Sequence, residues 1–99
     1  MSHVNILVID EMPEDTVNNH VSYEWDYYSL IREGVPKTVG DVRKDQEKPR
    51  EKYWAILAGN VVYRNPYRIM TPEQMDKLYE LVLGAYEDDT EVAVFDVHI

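Results

Sequence analysis

The chain has 99 residues and a net charge of −9, from 19 acidic and 10 basic side chains, and it contains no cysteine. The missing cysteines exclude a disulfide scaffold, a thiol nucleophile and a thiolate metal site. The negative field disfavours nucleic acid and anionic membranes as partners and favours basic surfaces, while the 44% hydrophobic content is that of an ordinary globular domain.

The charge is unevenly spread. Residues 1–31 carry six acids and no Lys or Arg, a net −6. Residues 32–52 carry seven bases and five acids, a net +2, and residues 53–99 carry three bases and eight acids, a net −5. A chain of this length is expected to form one compact domain over residues 1–99. No apolar run approaches the ~20 residues of a membrane span. No basic region precedes the first apolar run, as it would in a signal peptide. A soluble, cytoplasmic protein is expected.

Residues 3–9 are rich in Val and Ile and stop at Asp10-Glu11 and Pro13, which reads as a buried strand. In residues 21–31, Val21, Tyr23, Trp25 and Tyr27 alternate with Ser22, Glu24 and Asp26, while Val17, Val21, Trp25 and Tyr28 recur at helical spacing. The residue types are poor helix formers, so the expectation is a strand with one aromatic and one acidic face. Gly34, Pro36 and Gly40 break the pattern. Residues 37–52 are almost wholly polar, with Val39 and Val42 the only large apolar side chains. They read as a solvated, mobile segment with room for a short helix over 39–47 that stops before Pro49.

A hairpin follows: residues 53–57 and 61–64 flank Ala58-Gly59-Asn60, whose Gly-Asn pair supplies the positive φ of a two-residue turn. Asn65-Pro66 ends its second strand or forces a bulge, since proline cannot donate to the ladder. A helix is expected over about 71–86, with Thr71 as N-cap, Pro72 in the first position and Gln74 completing a capping box. Met70 and Met75 stand where a hydrophobic staple packs, and Met75, Leu78, Tyr79, Val82 and Tyr86 line one face. Glu87-Asp88-Asp89 comes next, where negative charge opposes the helix dipole, so those acids call for a reason other than helix stability. In residues 90–99, Ala93, Phe95, Val97 and Ile99 share one face, and Val92 and Val94 share the other with Asp96 and His98. That pattern marks a central strand. The elements add up to an α+β architecture: a mainly antiparallel sheet of four to five strands with one long helix packed across it.

The string Ile6-Leu7-Val8-Ile9-Asp10-Glu11-Met12-Pro13-Glu14-Asp15 resembles the start of a response-regulator receiver domain, where a strand ends in paired acids that help hold Mg²⁺. A receiver also requires a phospho-acceptor Asp ending a later apolar strand. Here Trp54-Ala55-Ile56-Leu57-Ala58 is followed by Gly59, so the resemblance stops at this string. Asp10, Glu11, Glu14 and Asp15, and likewise Glu87-Asp88-Asp89 with Glu91, offer oxygen donors for Ca²⁺ or Mg²⁺. Neither set contains the Asp-x-[Asp/Asn]-x-[Asp/Asn]-Gly loop, so neither a metal nor a cofactor is expected. His3, His20 and His98 lack ligand spacing, although His3 and His98 become neighbours if the terminal strands pair. Ser2, Ser22 and Ser29 have no nucleophile-elbow context and no glycine-rich phosphate loop is present, so no enzymatic activity is expected.

Eight Tyr and two Trp against one Phe favour the aromatics enriched at interfaces. The expected function is a non-enzymatic acidic protein that occupies a basic, nucleic-acid-binding surface of another protein. Asp10, Glu11, Glu14, Asp15, Glu24, Trp25, Asp26, Glu87, Asp88, Asp89 and Glu91 would make the contact, their carboxylates standing where phosphates would lie. In size, acidity and lack of cysteine the composition resembles phage-encoded inhibitors of restriction, repair or CRISPR-type nucleases. The resemblance implies an anti-defence DNA mimic whose partner is a host enzyme, with no direct contact to nucleic acid or membrane. Two alternatives stand beside it. One is a small homodimeric assembly module joined through sheet edges or the aromatic face, its acidity serving solubility. The other is a regulator that binds a divalent metal or a small ligand.

Overall fold

The Val- and Ile-rich run forms strand β1 (His3–Ile9) in a computed structural model that describes residues 3–20, 25–65 and 68–99. It is followed by α1 (Pro13–Asn18), β2 (Tyr27–Ile31), α2 (Val39–Lys44), α3 (Pro49–Lys52), β3 (Ala55–Ala58), β4 (Val61–Tyr63), α4 (Pro72–Gly84) and β5 (Ala93–His98). The strands make one sheet in the order β2-β5-β1-β3-β4. The architecture is α+β, and the sheet is mixed rather than purely antiparallel. β5 runs antiparallel to both β1 and β2, and β3 antiparallel to β4, but β1 and β3 are parallel. A parallel pair needs a long crossover, and the polar residues 37–52, folded as α2 and α3, form part of it.

Over residues 6–9 of β1 and 93–95 of β5 the sheet is covered on both faces, which explains the unbroken apolar run there. On one face Leu7, Ile9, Ile56 and Val94 pack against Val39 and Val42 of α2 and Met75, Tyr79, Val82 and Leu83 of α4. On the other, Ile6, Val8, Leu57, Phe95 and Val97 enclose Val17 of α1 and Trp25. As expected, the odd- and even-numbered residues of β5 divide between these two clusters.

Local signals were obeyed where they were strong. Gly59 and Asn60 adopt φ of 57° and 64°, the left-handed pair that a tight hairpin requires. Thr71 and Gln74 form the reciprocal capping box at the start of α4. That helix ends at Gly84, short of Tyr86, and its buried face is Met75, Tyr79, Val82 and Leu83, with Leu78 only partly covered.

Two expectations need correction. Residues 21–24, including Glu24, lie outside the described residues, and the strand is seen only over 27–31. A bend at Asp26 breaks the alternation there, so Trp25 and Tyr27 do not share a face: Trp25 is 2% exposed and Tyr27 is 55% exposed. The Trp25 indole N–H donates to the carbonyl of Val17 at 3.1 Å inside the core. Residues 13–18 form α1, with Pro13 in its first turn and Glu14 and Asp15 beside it, a helix-start signature.

Within residues 37–52, Thr38 and Asp41 cap α2 with a second capping box. The Val39 N–H donates to Thr90 O at 2.9 Å, Gly40 N–H to Asp88 O at 2.8 Å, and Val92 N–H to Lys37 O at 3.0 Å. These bonds stitch α2 to the chain that leads into β5.

The helix register yields a test. Leu83→Ala should lower stability by about 2–4 kcal/mol in urea denaturation, the usual loss for a buried leucine. Leu81→Ala, at a position 70% exposed, should stay within about 0.5 kcal/mol of wild type. Equal losses at both positions would mean that α4 presents a different face.

Candidate functional site

Val8 lies opposite Ala93 in the antiparallel β1–β5 register. Asp10 and Glu11, where the chain leaves β1, therefore stand beside Glu91, where it approaches β5. Together with Ile9, Tyr86 and Thr90 they line an open groove of about 470 Å³. Glu14 and Asp15 follow on α1, and Glu87, Asp88 and Asp89 occupy the turn between α4 and β5, all exposed to solvent. Asp10 and Glu11 thus meet Glu91 at one end of the sheet, while α1 and α4 pack on its opposite faces.

The acids in this region do different work. One Asp10 carboxylate oxygen accepts from the Met12 N–H at 2.9 Å and the other from the Thr16 hydroxyl at 2.7 Å. The Met12 N–H first, then the Thr16 hydroxyl, hold this carboxyl below the ordinary range. Asp10 therefore closes the turn between β1 and α1. Asp88 pairs with the Arg43 guanidinium, which also donates to Leu83 O at 2.7 Å and to Tyr86 O at 3.4 Å. Those carbonyls sit at the C-terminal end of α4, a helix with no base in its own last turn. The acid that opposes the helix dipole is thus placed to hold the arginine that complements it.

Four of the six bases of residues 37–52, Arg43, Lys48, Arg50 and Lys52, are held by aspartates. Lys48 and Arg50 converge on Asp76 at 3.1 and 2.7 Å, and Lys52 meets Asp45 at 2.6 Å. Among the described residues, Glu11, Glu14, Asp15, Glu87, Asp89 and Glu91 have no basic partner.

Two further contact candidates, Asp26 and Trp25, lie elsewhere. Asp26 stands at the opposite end of the sheet, 2.6 Å from Nδ1 of His98. Trp25 is a core residue, and Glu24 falls outside the described residues. Among the described residues no group of three or more His, Asp or Glu is set to enclose a metal ion.

A larger cleft, about 560 Å³, lies at the start of α4 and is lined by Arg50, Trp54, Arg68, Met70 and Tyr79 among others. No local motif announces it. The Tyr79 hydroxyl donates to Tyr63 O at 3.2 Å, and burial pushes its pKa up to about 12. It therefore serves as a structural hydrogen-bond donor rather than an acid or base.

The hydrogen bonds of Asp10 predict a pH effect. Because the folded-state pKa lies below the unfolded value of about 3.9, the stabilisation is present above that value and is lost as pH falls through the folded pKa. Asp10→Asn should be less stable than wild type at neutral pH, and the gap should close as thermal melts are taken below pH ~4. A gap that is constant down to pH ~2 would remove Asp10 from this role. Compared with protein-family models, curated proteins and solved structures, the chain matches none, so the reading of its function rests on the residues themselves.

Proposed function

We propose that the protein is a non-enzymatic acidic binding protein of the cytoplasm, an inhibitor of the DNA-mimic, anti-defence type, that occupies a basic nucleic-acid-binding surface of another protein. One observation carries the reading: Glu11, Glu14, Asp15, Glu87, Asp89 and Glu91 are exposed at one end of the sheet with no basic partner among the described residues. Unpaired carboxylates of one sign build a negative field at that end, which a complementary basic surface offsets on binding. Their mounts are rigid, since β1 and β5 lie in the middle of the sheet and α1 packs on it through Val17. Tyr86, half-buried in the groove between the clusters, adds an aromatic contact of the kind enriched at interfaces. The contact surface is narrower than the sequence suggests, because Asp26 is remote, Trp25 is internal, and Asp10 and Asp88 are engaged within the fold.

Assembly through a shared apolar face has less support. Among the described residues, the exposed large apolar side chains Met12, Tyr27, Val61, Ile69, Leu81 and Ile99 fall on separate segments.

A panel of nucleases and other nucleic-acid-binding enzymes provides the test, read as binding at low and high salt with duplex DNA as competitor. Binding should exclude DNA and weaken with salt. Combining Glu11→Gln, Asp89→Asn and Glu91→Gln should slow association on the order of tenfold at low salt. Unchanged association by that variant, or a ternary complex with DNA bound at full affinity, would overturn the reading.

A further inference from the structure

The end of the sheet opposite the acidic groove carries an uncovered polar face. His3 and Asn5 of β1, Asp96 and His98 of β5, and Tyr27 and Ser29 of β2 lie on the same side as Leu7, Val94 and Ile31, by the alternation of a strand. Helices α2 and α4 pack over Leu7 and Val94, but these six residues remain exposed or half-buried. The register places His3, His98 and Tyr27 in one row across three strands, and Asn5, Asp96 and Ser29 in the next. Neither row contains a Lys or Arg.

Each imidazole in the outer row is held by a carboxylate. Nδ1 of His3 lies 3.2 Å from Asp96 Oδ1, and Nδ1 of His98 lies 2.6 Å from Asp26 Oδ1. A carboxylate accepts, so the neutral tautomer that fits each contact has its proton on Nδ1 and its lone pair on Nε2. This carboxylate–imidazole arrangement is the outer support of metal-binding histidines, fixing ring orientation and raising ligand basicity. The two rings are 5.1 Å apart between centroids. Two imidazoles bound through Nε2 to one tetrahedral ion, at about 2.1 Å per bond, have centroids about 5.2 Å apart.

We propose that His3 and His98 form a two-histidine site for a borderline divalent transition-metal ion of the Zn²⁺ class, bound through both Nε2 atoms, with Asp96 and Asp26 as positioning residues. The site is open. Two protein donors leave the other coordination positions to water, and the flanking carboxylates supply negative charge that favours a cation. The inference does not depend on the acidic groove, which lies at the other end of β1.

Calorimetric titration of the whole chain with Zn²⁺, in a buffer that does not chelate it, tests the site. One ion should bind per chain. His3→Ala and His98→Ala should each weaken binding by about tenfold or more, and Asp96→Asn by a similar or smaller factor. His20→Ala and the Glu11→Gln, Glu91→Gln pair should bind as wild type. His98→Gln, which keeps a donor toward Asp26, should lose the ion while retaining the wild-type circular dichroism spectrum and melting temperature. In long-range ¹H–¹⁵N spectra, Zn²⁺ should shift the Nε2 resonances of His3 and His98 and leave their Nδ1 atoms protonated. No binding at millimolar Zn²⁺, or binding that survives loss of both histidines, would overturn the proposal.

Discussion

The antiparallel pairing of β1 with β5, running from His3↔His98 to Val8↔Ala93, holds the two ends of the chain together in the middle of the sheet. Among the five strands, β2 has no neighbour but β5, and β3 attaches through β1. Ile6, Leu7, Val8, Phe95 and Val97 along this pair are fully buried, each contributing roughly 1.5–3 kcal/mol of transfer free energy. The two strands are almost the whole sequence apart, yet loop-closure entropy grows only with the logarithm of separation, so apolar burial outweighs it. The same pairing places both surfaces discussed above. At one end it brings Asp10 and Glu11 to Glu91, and at the other it sets His3 beside His98.

Charge is sorted by this frame rather than mixed by it. The basic middle of the chain folds as α2 and α3 against α4, and its cations reach Asp45, Asp76 and Asp88. Such surface pairs are individually worth ~0–1 kcal/mol, so their consequence lies less in stability than in which acids remain unneutralised. Of the acids without a basic partner among the described residues, Glu11, Glu87, Asp89 and Glu91 stand near one end of β1 and β5, while Glu47 follows α2 and Glu73 and Glu80 lie on α4. The Arg43–Asp88 pair shows that an acid in that region can serve the fold, and it separates Asp88 from its neighbours Glu87 and Asp89.

What was legible in the sequence was what depends on nearby residues. Gly59-Asn60 and Thr71-Pro72-Gln74 specify a turn and a helix start within a few positions, and the two-faced apolar pattern of residues 92–97 marks a central strand. The parallel β1–β3 pairing was not legible, because a short buried apolar run looks alike in either direction. Trp25 was misassigned because one bend at Asp26 moves it from the expected face to the opposite one. Helix α1 is only six residues long, and Thr16, Val17 and Asn18 are weak helix formers. The duty of Asp88 depends on Arg43, 45 positions away, and the carboxylate that orients His3 is Asp96, 93 positions away. No local pattern encodes contacts of that span.

Thermal stability as a function of salt separates acids that hold the fold from acids left free for a partner. Neutralising Glu11, Asp89 and Glu91 to their amides should raise the melting temperature at low ionic strength by relieving repulsion, and that gain should disappear at ~1 M salt, where the Debye length falls to about 3 Å. Asp88→Asn, which releases Arg43 from its carboxylate, should instead lower the melting temperature at both salt concentrations. A loss of stability on neutralising Glu11, Asp89 and Glu91, comparable to that for Asp88→Asn, would show that those carboxylates belong to the architecture and contradict the account.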